Sequence, residues 1–351
     1  MKTYDIFTDK EVVLDLQKVD FLLAASVTKT CEIDGITQAG IPGKIPLTPT
    51  LDAEFIANQR VFSLDEVAET NSGVPTPAII TKAVSNLHSF QTIEILDLGL
   101  SVKPQHSLLH NFNITPSEAI NKGAGIDARE IFEKGMKFGK EYELKGNSLI
   151  LAESTPSGTT TAMATAIALG YDCKDDFSSS FLNVPFNIKN KVVDDAMKLI
   201  DDSMDNFEKL SIVSDNMLIF CAGFLVEASK RFKIVLAGGT QMASCLLVAD
   251  RLREDILNRV DHNNITLATT KWVVQDKNSD IKHLLSLLSY KPNGVYTTFS
   301  FQNSSIDVLK KYDDGEAKEG VGAGGALAYA VSQNINNQTL LDEIEAIIYG
   351  M

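Results

Sequence analysis

The sequence predicts an α/β protein built on a parallel sheet of about six strands with helices on both faces. Three observations carry that prediction. Short, continuous apolar runs recur along the chain at Val19–Ser26, Thr92–Leu98, Leu149–Ala152, Lys233–Ala237, Ile265–Val274 and Val295–Phe301, as expected of strands covered on both faces. Helical stretches alternate with these runs at the spacing of right-handed crossovers between parallel neighbours. Several strand-to-helix turns are also made of glycine and small hydroxyl residues, and ligands in such folds lie at the carboxyl ends of the strands.

Taken in order, Lys2–Lys18 is mixed in polarity and reads as one short helix containing Val12, Val13 and Leu16. After the first apolar run comes a long segment rich in Gly, Pro and Thr, from Thr28 to Thr50. A connection of that length is expected to be a lid or a binding loop. Helices are expected at Leu51–Asn58, at Thr76–Leu87 (entered through Pro75 and Pro77) and at Ala128–Glu141. His106 and His110 fall in a polar loop, where solvated histidines are favoured over a chelating pair because Pro104 opposes a helix. Further helices are expected at Asn190–Met204 and Ser214–Arg231. Three strand–helix pairs follow, with helices at Met242–Leu252, Asp280–Ser289 and Ser305–Tyr312.

Composition limits the function classes. A chain of 351 residues with 44% hydrophobic content can bury a large core, and its formal charge of −14 lacks the basic footprint of a nucleic-acid binder. The four cysteines, Cys31, Cys173, Cys221 and Cys245, form no CxxC pair. Neither a zinc site nor a disulfide framework is therefore expected, and reduced buried thiols suit a reducing cytoplasm. The opening MKTYDIFTDKEVV has no apolar signal core, and the longest apolar run, Met217–Val226, is too short to span a bilayer. A soluble, cytoplasmic protein with no membrane partner is the expectation.

The stretch Asn147–Gly170 is the most informative. An apolar run ends at Glu153, a small-residue loop Ser154-Thr155-Pro156-Ser157-Gly158 follows, and Thr159, Thr160 and Thr161 open an alanine-rich helix. The first amides of a helix lack intrahelical partners, and the dipole places roughly half a positive charge there, so such a turn can hold a phosphate. Gly158 would let the backbone approach the anion, and the hydroxyls of Thr159, Thr160 and Thr161 would add donors. An ordinary β–α turn whose threonines cap a helix fits the same pattern.

Two other motifs mislead. Gly320-Val321-Gly322-Ala323-Gly324-Gly325 satisfies GxGxxG, but the preceding residues are charged and only one helix's worth of chain follows, so dinucleotide binding is rejected. Val192-Val193-Asp194-Asp195 resembles an acidic ribose-binding pair, but its apolar spacing is helical and both aspartates are expected to face solvent. Three glycine-bearing loops remain as ligand candidates: Thr155–Thr160, Gly238-Gly239-Thr240-Gln241 and Gly315–Gly325. In the last, Glu319 beside apolar surface would be desolvated and its pKa raised toward that of a general base. A solvated surface loop is the plainer alternative.

Together, Glu153 with Ser157–Ala162, the AGGTQM segment Ala237–Met242 and EGVGAGGA at Glu319–Ala326 resemble the nicotinate-nucleotide-dependent (dimethylbenzimidazole) phosphoribosyltransferases of cobamide lower-ligand assembly, in an archaeal and bacterial branch. The resemblance runs from about Ser148 to the C-terminus. It implies a Rossmann-like sheet of six parallel strands in a large nucleotide-binding domain, residues 18–315. A small helical lobe would come from the chain ends, residues 1–17 and 316–351. It further implies a homodimer, and transfer of phosphoribose from nicotinate mononucleotide to an aromatic azole base, giving an α-ribazole-type phosphate and nicotinate. Glu319 would be the catalytic base, with Glu153 beside the nucleotide. Ser157, Gly158, Thr159, Thr160, Gly238, Gly239, Thr240, Gly320 and Gly322 would contact substrate. A lysine near the phosphate would be Lys191, with Lys189 as the alternative.

No cofactor or metal is called for, because the pyridinium leaving group is already cationic. The N-terminal half lacks the family's usual base-pocket motifs, and the Thr28–Thr50 loop is expected to line the acceptor site instead. Two further readings stand beside this one. A non-catalytic nucleotide binder or regulator would keep the pocket without an acceptor site, and a phosphoribosyl-pyrophosphate enzyme would depend on magnesium.

Overall fold

The computed structural model describes residues 1–351. Eight strands form one sheet: β1 (Thr3–Asp5), β2 (Val19–Ala25), β3 (Thr92–Asp97), β4 (Leu108–Asn111), β5 (Ser148–Ser154), β6 (Ile234–Ala237), β7 (Ile265–Thr270) and β8 (Asn293–Thr297). Their order is β1-β8-β7-β6-β5-β2-β3-β4, with only β1 antiparallel to its neighbour. All six predicted strands are present. The two additions are edge strands: β1, of three residues, is too short to produce a signal, and β4, of four, is largely solvent-facing and so lacks an apolar run.

Both faces of the sheet are covered, and residue alternation along one strand shows it. In β2, Leu22 and Ala24 join one core, and Phe21, Leu23 and Ala25 join the other. That is why β2 reads as continuously apolar. On the first face the helices Ala128–Glu141 and Asn216–Ala228 cross almost backbone to backbone. A Cβ added at Gly135 would lie 2.2 Å from the Phe220 carbonyl oxygen, and one at Gly223 would lie 2.1 Å from that of Phe132. On the other face lie the helices Thr48–Asn58, Ala78–Leu87, Ala323–Ser332 and Asn337–Tyr349.

Several expectations are corrected. Residues 2–18 form no helix; Thr3 and Tyr4 pair with Thr297 and Tyr296, and the Asp5 side chain accepts from the amides of Phe7 and Thr8 to turn the chain. His110 belongs to β4 rather than to a loop, and its Nε2 lies 2.6 Å from Glu94. The run at Ile265–Val274 stops as strand at Thr270 and becomes a helical turn, Lys271–Val274. The helix expected at Asn190–Met204 lies earlier, at Phe186–Met197, entered from Pro185. The chain ends are not set apart as a lobe. They meet where Ser332 Oγ donates to the Leu16 carbonyl, but β1 extends the sheet and the helix Ala323–Ser332 packs directly on it.

The crossovers reverse direction between β2 and β5, since β3 and β4 follow on one side and β6, β7 and β8 on the other. A ligand crevice is expected at the carboxyl ends of the strands flanking such a switch point. No helix is long and apolar enough to cross a membrane. The four cysteines are all buried and free.

Candidate active site

A cleft of about 960 Å³, counted to its open mouth, lies at that switch point. Its floor is the end of β5 and the turn that follows. Ser157 adopts φ +63°, an uncommon conformation for a residue with a side chain, and the helix Gly158–Ala168 begins without a capping side chain. Thr155 Oγ1, Ser157 Oγ and Thr160 Oγ1 are buried with no hydrogen-bond partner. Buried hydroxyls normally find partners; Thr155 and Ser157 line the cleft and could donate to a ligand at this helix start, whereas Thr160 does not line it. Thr161 and Thr165 point elsewhere, bonding to Asp215 and Ser214 and fastening the helix to Asn216–Ala228.

Glu153 is 7% exposed at the end of β5. Its Oε2 accepts from the Thr155 amide at 3.0 Å and from Gln241 Nε2 at 3.1 Å, and Oε1 takes no bond from the protein. Burial pushes its pKa up to about 8, and the negative charges of Glu319, Asp215 and Asp52 add to the rise. Glu319 reaches the same cleft from the far end of the sequence. Oε1 accepts from the amides of Gly324 (3.0 Å) and Gly320 (3.2 Å), and Oε2 from the Thr270 amide (3.0 Å) and Thr269 Oγ1 (3.2 Å). Burial still outweighs these donors and raises its pKa to about 7. The Gly320–Gly325 motif thus serves to seat a carboxylate on a helix start.

The glycines divide by role. Gly158, Gly239 and Gly320 line the cleft, as do Thr159, Thr240 and Gln241, whereas Gly238 and Gly322 do not. A Cβ at Gly238 would meet the Met242 side chain at 2.4 Å, and one at Gly322 would meet Ala152 at 2.6 Å, so both are packing positions. A Cβ at Gly158 would fall 2.1 Å from Gln241 Nε2. That glycine admits the glutamine which holds Glu153. Thr240 Oγ1 accepts from the Ser178 amide.

Lys191 is corrected. Its side chain is 77% exposed and pairs with Asp195 on the solvent face of its helix. Two residues along a helix is more than half a turn, and Lys189 accordingly points inward. Its Nζ donates to the carbonyls of Ser178 (2.8 Å) and Phe177 (3.3 Å) and lies 3.5 Å from Thr159 Oγ1, beside the uncapped turn. It has no carboxylate partner, and burial, with the charge of Lys318 nearby, lowers its pKa to about 7.

Sequence reasoning missed other groups in the cleft. Lys318, 3% exposed, donates to the carbonyls of Ser179 and Phe181 and lies 3.3 Å from Asp276. Asp52, on the helix Thr48–Asn58, accepts from Ser154 Oγ and Thr76 Oγ1, each at 2.7 Å, and burial raises its pKa to about 6. No local motif marks either residue. From the Gly/Pro/Thr-rich connection, Ile36, Thr37, Ala39, Gly40 and Thr48 line the cleft. Glu316 ties the lining loops together, accepting on one oxygen from Gln38, Thr70 and Ser72.

No family model matches the chain. It is 36% identical over 330 residues to a UPF0284 protein of Sulfolobus acidocaldarius, covering 93% of both chains. A UPF0284 protein of Methanocaldococcus jannaschii is 33% identical over 331 residues, covering 91% of this chain and 92% of the relative. Among solved structures, the nicotinate-nucleotide-dimethylbenzimidazole phosphoribosyltransferase of Thermus thermophilus superposes with a TM-score of 0.60 at 14% identity, covering 95% of this chain and 84% of that one. A structure described as CobT from the same organism gives 0.61 at 14% identity, covering 93% and 84%. At that identity the likeness is one of fold.

Proposed function

This chain belongs to the UPF0284 protein family, and on that footing we propose that it is a phosphoribosyltransferase moving phosphoribose from nicotinate mononucleotide to an azole base. The products are an α-ribazole-type phosphate and nicotinate, as in cobamide lower-ligand assembly. One observation carries the reading. Two carboxylates with pKa values raised toward neutrality, Glu153 and Glu319, share a cleft with an uncapped helix start whose hydroxyls lack partners. The fold shared with the Thermus thermophilus enzyme supports it.

In this reading the phosphate binds the turn Ser157–Thr160, with Lys189 rather than Lys191 as the nearby cation. The azole nitrogen attacks C1′ from the side opposite nicotinate. The C1′–N bond to nicotinate breaks, and its electron pair returns to the ring nitrogen and cancels the pyridinium charge. Glu153, in its ionised form, stabilises the positive charge that develops on the ribose. The proton on the attacking azole passes to Glu319 Oε2, whose bond from Thr269 is released by rotation of that hydroxyl. No external oxidant, reductant or further reactant enters. The active protein is proposed to be a homodimer.

The test is to incubate the protein with nicotinate mononucleotide and a benzimidazole, and to follow nicotinate by chromatography. Nicotinate release that requires the base, with a matching ribazole phosphate by mass, is the expected result. Calorimetric binding of the nucleotide without release under any azole would identify a binder instead. The absence of both binding and release would remove the proposal.

A further inference from the structure

The segment that carries Glu319 into the cleft is unusually contorted. Between Gly315 and Gly322 five residues have positive φ, and two of them, Ala317 (+50°) and Val321 (+52°), carry side chains. Val321 is the one β-branched residue of the chain in that region. A left-handed β-branched residue is a genuine outlier, and it persists only where its surroundings over-determine it. Both of its backbone groups are held from far along the chain. Its N–H donates to the Glu153 carbonyl at 2.9 Å, and its carbonyl accepts from Thr81 Oγ1 at 2.7 Å. Its side chain is 3% exposed, in the core on that face of the sheet.

The bond to Glu153 joins the strand end that bears one carboxylate to the loop that bears the other. The bond to Thr81 holds that loop from the opposite side. Thr81 lies within the helix Ala78–Leu87, is buried, and does not line the cleft. A threonine inside a helix has the carbonyl one turn back as a ready acceptor. Thr81 instead turns its hydroxyl out of its own helix, onto a carbonyl 240 residues away in the chain.

We infer that Thr81 is a positioning residue: by holding Val321 in its left-handed conformation, it fixes Glu319 across the cleft from Glu153. The consequence for turnover rests on the transferase reading; the geometry does not. Without the hydroxyl the Val321 carbonyl loses its partner, and the strained residue is free to relax toward negative φ. Gly320, whose amide holds Glu319 Oε1, is its immediate neighbour, so that relaxation moves the base. A misplacement of about 1 Å at a reacting group costs about a hundredfold in rate.

The test compares Thr81→Val, which keeps the shape and removes the hydroxyl, with Thr81→Ser, which keeps the hydroxyl. Thr81→Val is expected to lower kcat about ten- to a hundredfold, with the KM for nicotinate mononucleotide within about threefold of the wild type. Thr81→Ser is expected to retain kcat within about threefold. On a Glu319→Gln background Thr81→Val should change kcat by less than about threefold, because the group it positions no longer acts as a base. An unchanged kcat in Thr81→Val, an equal loss in Thr81→Ser, or an undiminished loss beside Glu319→Gln would overturn the inference. If Thr81→Val does not fold, Thr81→Ala and Thr81→Ser, which differ only by the hydroxyl, make the same comparison. A wild-type protein that transfers no phosphoribose sinks the transferase reading alone. The crystal structure of Thr81→Val then decides: Val321 released from positive φ supports the inference, and Val321 unmoved overturns it.

Discussion

Gln241 Nε2 donates to Glu153 Oε2 at 3.1 Å, and the space its amide occupies exists because residue 158 has no Cβ. A carboxylate, an amide and a glycine from two different strand-to-helix turns therefore form one unit. From sequence, Gly158 reads as room for a phosphate; in the structure the Gln241 amide also depends on that room.

Gly158→Ala is accordingly expected to displace Gln241 and free Glu153, raising the KM for nicotinate mononucleotide. The same substitution made on a Gln241→Ala background should cost much less, because the clash is gone. Residues acting as one unit show coupling of roughly 0.5–3 kcal/mol in such cycles. Additive effects of the two changes would reject the link.

Glu319→Gln is expected to lower kcat by about a hundred- to ten-thousandfold while the chain remains folded by circular dichroism. Gln keeps an acceptor for the amides of Gly320 and Gly324, turns its NH2 toward the Thr270 amide, and cannot take the azole proton. An unchanged kcat would remove the role of base.

The base must be ionised to act, and burial raises the Glu319 pKa to about 7. Activity should therefore rise with pH through about 7 and be lost below it. Because Glu153, with its pKa raised to about 8, titrates in the same cleft, the limb belongs to the pair rather than to one residue. A rate that is flat from pH 5 to about 8 would contradict this.

The same burial makes the site a stability cost. A carboxylate whose folded pKa is raised favours the folded state while protonated, and that contribution is lost as pH rises through the folded value. For Glu153, pushed up to about 8, the loss spans the range from the usual carboxylate pKa to about 8. Glu153→Gln should thus melt higher than the wild type at pH 8 while losing activity, with little difference near pH 4. Equal melting temperatures at both pH values would show that the carboxylate is not strained.

Lys189→Met should raise the KM for nicotinate mononucleotide by about tenfold or more and should destabilise the chain, because two carbonyls lose a donor. Lys191→Met, on the exposed ion pair with Asp195, should change stability by no more than about 0.5 kcal/mol and leave KM unmoved. Substrate kinetics and thermal melts of the two variants separate them, and equal KM values would return the phosphate site to question.

Local features were legible in the chain alone: six of the eight strands, the helix start at Ser157–Thr160, and the positions of Glu153 at the end of a strand and Glu319 on a loop. Those features are written in the period of apolar residues and in turn chemistry, which act over a few neighbouring residues. β1 escaped because three residues make no pattern, and β4 because its four residues are largely exposed, unlike the equally short but buried β6. The choice between Lys189 and Lys191 was made by packing, since a shift of two positions reverses the face of a helix and the core, not the motif, selects which one is buried. Packing likewise brought Asp52 to Ser154 and Thr76, and Gln241 under Gly158. Those contacts join residues far apart in the chain, and the burial that raises the carboxylate pKa values is a property of everything packed around them.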